Sequence, residues 1–237
     1  MQEFLYGARA LLIYFVCAAA PALLCRYLIR IPDELFRKIL HCILLGSLPV
    51  FVFGFDTWWR AAAAAVSFAA VVYPILAWFE RFRGYSELTT ERKKGELKES
   101  LLLVFAMFAV VISVCWGWLH DRYLVLASVY AWGFGDAAVA LVGKRWGRHK
   151  IRFGIADSHK SMEGSAAMFA VSLISVETVL LLRGGIGSAG YIVIPMVTAL
   201  VSALAELCSR DGHDTVICPL SAMVVLLPLV HLFGGFA

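Results

Sequence analysis

A chain of 237 residues with 61% apolar side chains and only 16% charged ones has too little polar surface to fold as a water-soluble globule. Its apolar residues are gathered into blocks of roughly 17–25, the length needed to cross a bilayer, which predicts an all-α, polytopic membrane bundle of about eight transmembrane helices. The bundle is expected to form a single transmembrane domain over residues 1–237, and the net charge of +4 reads as a topology signal, not as nucleic-acid binding.

In chain order, spans are expected at 4–24, 39–55, 58–79, 100–119, 123–143, 165–182, 188–208 and 216–236. The first is too long, and too lacking in a small-residue cleavage site, to be a removable signal, so it is read as a retained helix. The second is interrupted by Gly46, Ser47 and Pro49. Ala61 to Ala65 in the third suits close helix packing. The charged stretch from Glu80 to Glu99 suits a cytoplasmic loop or a short surface helix. Cys17, Cys25, Cys42, Cys115, Cys208 and Cys218 show no CxxC and no zinc spacing with histidine, which leaves them as small apolar fillers.

Cations crowd alternate connections: Arg26, Arg30, Arg37 and Lys38 in the first, Arg81 to Lys98 in the third, Lys144 to Lys160 in the fifth and Arg210 in the seventh. The other connections hold only Arg60, Arg122 and Arg183. This asymmetry predicts cytoplasmic odd connections and external termini.

The sparse polar residues near the span ends then fall on one side. Arg37, Lys38 and His41 stand at the start of the second span, with helical spacing that brings both cations to the histidine's flank. Asp136 lies inside the fifth span, where a charge costs a few kcal/mol, about 2.5–3.5 on the lenient insertion scale. Ala140, Gly143 and Gly147 follow it on one face, small enough to let backbone or ligand come close. Lys144, Arg145, Arg148, Lys150, Arg152 and Lys160 fill the next connection, and Lys160, Glu163 and Gly164 open the sixth span. Glu206, Ser209, Asp211 and Asp214 cluster where the seventh ends. Four stretches thus bring acidic groups that can hold a cation to the same face as basic groups that can hold phosphates. There is no GxxxxGK[ST], and Gly185 to Gly190 matches GxGxxG without a preceding strand, so neither familiar nucleotide loop is present.

Arg37-Lys38-x-x-His41, Gly135-Asp136 through Gly143 with Lys-Arg-Trp-Gly147, Lys150-Ile151, Lys160-Ser161-Met-Glu163-Gly164-Ser165 and Glu206-x-x-Ser209-x-x-Gly212-x-Asp214, with Pro219 beyond, occur in this order over about residues 37–220. Together they resemble the CTP-dependent lipid kinases, the group of dolichol kinase, phytol kinase and the yeast-type diacylglycerol kinase, which is distantly similar to phosphatidate cytidylyltransferase. The family commonly has Asp-Asn where this chain has Asp214-Thr215. A threonine hydroxyl replaces one amide contact but not its two-sided hydrogen bonding.

The resemblance implies transfer of the terminal phosphate of CTP to a membrane lipid alcohol (polyprenol, phytol-like alcohol or diacylglycerol), giving the lipid monophosphate and CDP. It implies an integral protein of a bacterial inner membrane or an organelle membrane, with its active site facing the cytoplasm and with homo-oligomerisation open. Within that reading Asp136 and Asp214 are the magnesium ligands, directly or through water. Lys160, Lys144 and Lys150 neutralise phosphate oxygens, with the helix N-terminus at Ser161 to Gly164. Glu163 or Asp136 accepts the hydroxyl proton. Arg37, Lys38 and His41 complete the phosphate site, and Gly135, Gly143, Gly147, Glu206, Ser209, Gly212 and Thr215 support it. Two other readings compete: a cytidylyltransferase releasing pyrophosphate, whose longer lysine- and glycine-rich final motif Glu206 to Pro219 lacks, and a transporter of an anionic solute, which calls for polar groups at several depths.

Overall fold

The computed structural model describes residues 2–29, 31–81, 95–151, 160–209 and 213–235. Helices dominate them and form eight continuous helical spans long and apolar enough to cross a membrane, two of them built from two successive helical elements, so the chain is a multi-pass, all-α membrane protein as its composition predicts. The helices are α1 (Gln2–Leu28), α2 (Asp33–Gly46), α3 (Leu48–Phe53), α4 (Trp58–Phe79), α5 (Glu96–Val111), α6 (Arg122–Trp146), α7 (Met162–Arg183), α8 (Gly190–Cys208) and α9 (Asp214–Phe233). A π-helical turn over Ile112–Trp118 continues α5. The chain divides into two compact units, Met1–Ser113 and Val114–Ala237.

In the first unit, the interrupted second span is α2 followed directly by α3. Pro49 falls in the first turn of α3, where it has no N–H to continue the α2 ladder. Ser47 covers the break: its N–H and its hydroxyl both donate to the Leu44 carbonyl, the latter at 2.6 Å. Tyr14 of α1 donates to the Ile43 carbonyl at 2.7 Å and ties the two helices together. Phe51, Phe68, Phe105 and Phe108 bring α3, α4 and α5 together through ring contacts. At one end Lys98 bonds Glu80 at 2.7 Å, joining the start of α5 to the residue that follows α4.

The second unit is a four-helix bundle in which α6 packs on α7 and α9, α7 on α8, and α8 on α9. Asp121 caps α6, accepting from the Tyr123 N–H at 3.0 Å and the Leu124 N–H at 3.3 Å. Its other oxygen takes Arg183 Nε at 2.5 Å, and Arg183 also donates to the carbonyls of Gly184 and Gly235. One buried ion pair therefore fastens the start of α6 to the end of α7 and to the chain beyond α9. Pro195, Pro219 and Pro228 lie inside helices, as membrane helices tolerate where neighbours satisfy the freed carbonyls.

Candidate active site

The site builds up at the end of the second unit where α6 and α8 finish and α7 and α9 begin. Ser161 sits in extended conformation before α7, and its hydroxyl accepts from the Gly164 N–H at 3.2 Å, an ordinary N-cap. The chain just before it is pinned. Lys150 and Ser161 form an isolated antiparallel bridge, Ile151 N–H donates to the Lys160 carbonyl at 3.0 Å, and Met162 N–H donates to the His149 carbonyl at 3.0 Å. Glu163 reaches back to this neck, its carboxylate 2.6 Å from His149 Nδ1 and accepting from the His149 N–H at 3.2 and 3.3 Å. The first donors of α7 are thus already engaged, and an anion binding there would have to displace Ser161.

Lys160 points the other way, across to the end of α8. Its Nζ lies 3.2 Å from Glu206 Oε1, donates to the Ser209 carbonyl at 2.9 Å, and bonds the Glu206 carbonyl as well. Carbonyls at a helix C-terminus lack intrahelical partners, and a cation there meets both them and the negative end of the helix dipole. Ser209, also buried, donates its hydroxyl to the Glu206 carbonyl at 2.8 Å.

Asp136 of α6 and Asp214 at the start of α9 are both close enough to act electrostatically on Glu206, and all four charged groups act on the buried thiol of Cys218. The structure therefore brings Asp136, within α6, and Asp214, at the start of α9, into electrostatic reach of the Lys160–Glu206 pair. Among the described residues no three His, Cys, Asp or Glu side chains form a complete metal cage. Two or three hard carboxylates beside one lysine nonetheless fit a magnesium ion that keeps water and phosphate oxygens as its other ligands.

The glycines serve packing. A Cβ on Gly135 would lie 2.7 Å from Ser172 Oγ, and one on Gly164 would lie 3.6 Å from the Gly143 Cα, so α6 and α7 meet backbone to backbone along this edge. Gly147 lies against Ser161, whose Oγ would be 2.7 Å from an added Cβ. The room the sequence offers to backbone or ligand is taken here by helix α7.

Lys144 and Lys150 are exposed at the same end of the bundle, Arg145 lies over its neighbour Trp146, and Thr215 is half-buried in the first turn of α9. Arg37, Lys38 and His41 belong to the first unit: Lys38 is buried, and Arg37 pairs with Glu34 at 3.7 Å. Gly212, with Arg152, Arg210 and Asp211, lies outside the described residues. Sequence reasoning passed over His149, the partner of Glu163, and Thr198 and Ser202, which are buried on the face of α8 that carries Glu206. The polar period of four in 198, 202 and 206 was the available signal.

Fold and charged cluster define a multi-pass membrane protein with carboxylates and a lysine gathered at one end of a helical bundle. The chain is 27% identical over 213 residues to phytol kinase from Synechocystis sp., a match covering 86% of this chain and 83% of the relative. The chain is thus similar to a lipid kinase, the class of protein its motifs resemble. No family model matches the sequence, and no solved structure matches the chain.

Proposed function

We infer that the protein is a kinase of membrane lipid alcohols that takes the terminal phosphate of CTP with magnesium and releases CDP. The observation that carries this reading is that Asp136 and Asp214 lie within electrostatic reach of the Lys160–Glu206 pair in the second unit, and the phytol kinase relative supports it. Phosphoryl transfer asks for positioning and charge neutralisation more than for covalent chemistry, and that is what this group of residues supplies. Asp136 and Asp214 would hold magnesium, which when bound neutralises phosphate charge and orients the transferring group. Lys160 is held in place by the end of α8 and presents its charge without a search through rotamers; Lys144 and Lys150 add exposed cations at the rim. The hydroxyl proton falls to a carboxylate of this cluster, since the Glu163 carboxylate is occupied by His149 at 2.6 Å. The bias of cations toward alternate connections supports a site that faces the cytoplasm.

The test is incubation of purified protein with labelled CTP, magnesium and a panel of lipid alcohols, followed by separation of the products. Labelled CDP with a lipid monophosphate is expected. Pyrophosphate release would mark attack at the innermost phosphorus and replace the kinase reading, and absence of turnover on every alcohol would remove it. For orientation, a reporter fused after Ala237 should report the external compartment and one near Arg92 the cytoplasm.

A further inference from the structure

Hydroxyls on membrane helices normally bond back to the carbonyl four residues earlier. Ser113, Ser128, Ser175 and Thr178 all do so, at 2.7–2.8 Å. Thr198 and Ser202 do not. Both are fully buried, both hydroxyl oxygens lack a partner, and both lie on the buried face of α8 that also carries Glu206. Glu206 repeats the pattern: Lys160 holds Oε1, while Oε2 is buried without a partner. Successive fourth residues turn by about 40°, so these three orphaned oxygens form one polar stripe about 12 Å long that runs from the charged cluster into the bundle. A buried polar group left unsatisfied is costly, and three aligned on a single helix face mark a place that something polar fills.

We propose that this stripe is the binding site for the hydroxyl end of the lipid acceptor: Glu206 Oε2 accepts the hydrogen bond of the alcohol O–H, and the Ser202 hydroxyl donates to the alcohol oxygen. This rests on the kinase reading and deepens it, since it brings the acceptor hydroxyl beside Lys160 and the two aspartates. The common ligand chemistry is a primary alcohol on a hydrocarbon chain. An isoprenoid alcohol offers one oxygen and engages Glu206 and Ser202; a diacylglycerol also brings ester carbonyls that reach the Thr198 hydroxyl.

The experiment measures CTP turnover by wild type, Ser202→Ala and Thr198→Ala in detergent micelles, with an isoprenoid alcohol and a diacylglycerol in separate arms. Ser202→Ala deletes only an unpartnered buried hydroxyl and Thr198→Ala such a hydroxyl with one methyl group, changes small enough for both proteins to fold. The expected result is a lipid KM raised about three- to tenfold with the KM for CTP unchanged, the scale of one hydrogen bond to substrate removed. With an isoprenoid alcohol the rise is confined to Ser202→Ala, whereas with a diacylglycerol Thr198→Ala shares it. An active wild type whose variants keep the same lipid KM overturns the inference alone and leaves the stripe to water. A wild type inactive on every alcohol removes the kinase reading together with this site.

Discussion

Lys160 and Glu206, 46 residues apart, close the end of the second unit: the ammonium lies 3.2 Å from the carboxylate and bonds the backbone carbonyls of Glu206 and Ser209. Side-chain exposures of 14% and 9% make this a buried pair, in which each charge depends on the other. A residue placed by sequence as a phosphate ligand is thus also part of the joint between α7 and α8. Both roles make separate predictions.

Lys160→Ala is expected to abolish turnover and also to lower thermal stability, by about 3–5 kcal/mol, because it leaves the Glu206 carboxylate buried without its cation. The double variant Lys160→Ala/Glu206→Gln removes the stranded charge and should recover much of the stability while staying inactive. Thermal unfolding and CTP turnover on the same preparations check this. Full activity in the refolded double variant would remove Lys160 from the phosphate site.

Arg183 and Asp121 provide a control at the opposite end of the same bundle. Their side chains are 5% and 2% exposed and meet at 2.5 Å. Arg183→Leu strands the Asp121 carboxylate and should cost about 3–5 kcal/mol of stability, with turnover per folded molecule unchanged. Denaturant unfolding in detergent alongside specific activity measures both. A large loss of specific activity in the folded fraction would show that this end of the bundle also governs the chemistry.

The spans were legible because burial in lipid demands long apolar runs, and that demand is written directly in composition. Their ends were less so. Helix α2 begins at Asp33, not 39, and α7 at Met162, not 165, since capping and local ion pairs extend a helix past its apolar run. The period of four linking Thr198, Ser202 and Glu206 was readable, but isolated hydroxyls on an apolar helix ordinarily bond their own backbone. Only the packed neighbours show that these do not. His149 stood as one histidine in a cationic loop, and nothing local pairs it with Glu163, fourteen residues on. The glycines were recognisable as points of close approach, but what approaches is decided by tertiary packing.

Gly143 and Gly147 should respond in opposite directions to alanine. At Gly143, inside α6, an added Cβ meets Ser161 Oγ at 3.5 Å and the Gly164 Cα at 3.9 Å, ordinary van der Waals distances, while the helix gains up to about 1 kcal/mol of propensity. At Gly147 the Cβ would stand 2.7 Å from Ser161 Oγ and collide with the Gly143 carbonyl, so the cap of α7 must move, at a cost of about 1–3 kcal/mol. Melting temperatures of the two single variants decide it. Equal tolerance of both substitutions would mean that Ser161 is not held against α6.

Asp136 gives the sharpest test of the cluster. Asp136→Asn keeps the shape and deletes the charge that would hold the metal, so turnover should fall by about two to three orders of magnitude, the scale on which removing a single preorganised electrostatic group slows an enzyme. Stability should hold or rise, because Asp136 shares its surroundings with the carboxylates of Glu206 and Asp214, and removing one of three like charges relieves repulsion. A purely structural carboxylate behaves in the reverse way, since its loss would strand a cationic partner and lower stability while sparing the folded enzyme's activity. Turnover and thermal unfolding measured on one preparation separate the two, and magnesium titration adds a third reading: a metal ligand's loss raises the magnesium concentration needed for half-maximal activity. A folded Asp136→Asn protein with normal turnover and an unchanged magnesium requirement would take Asp136 out of the site.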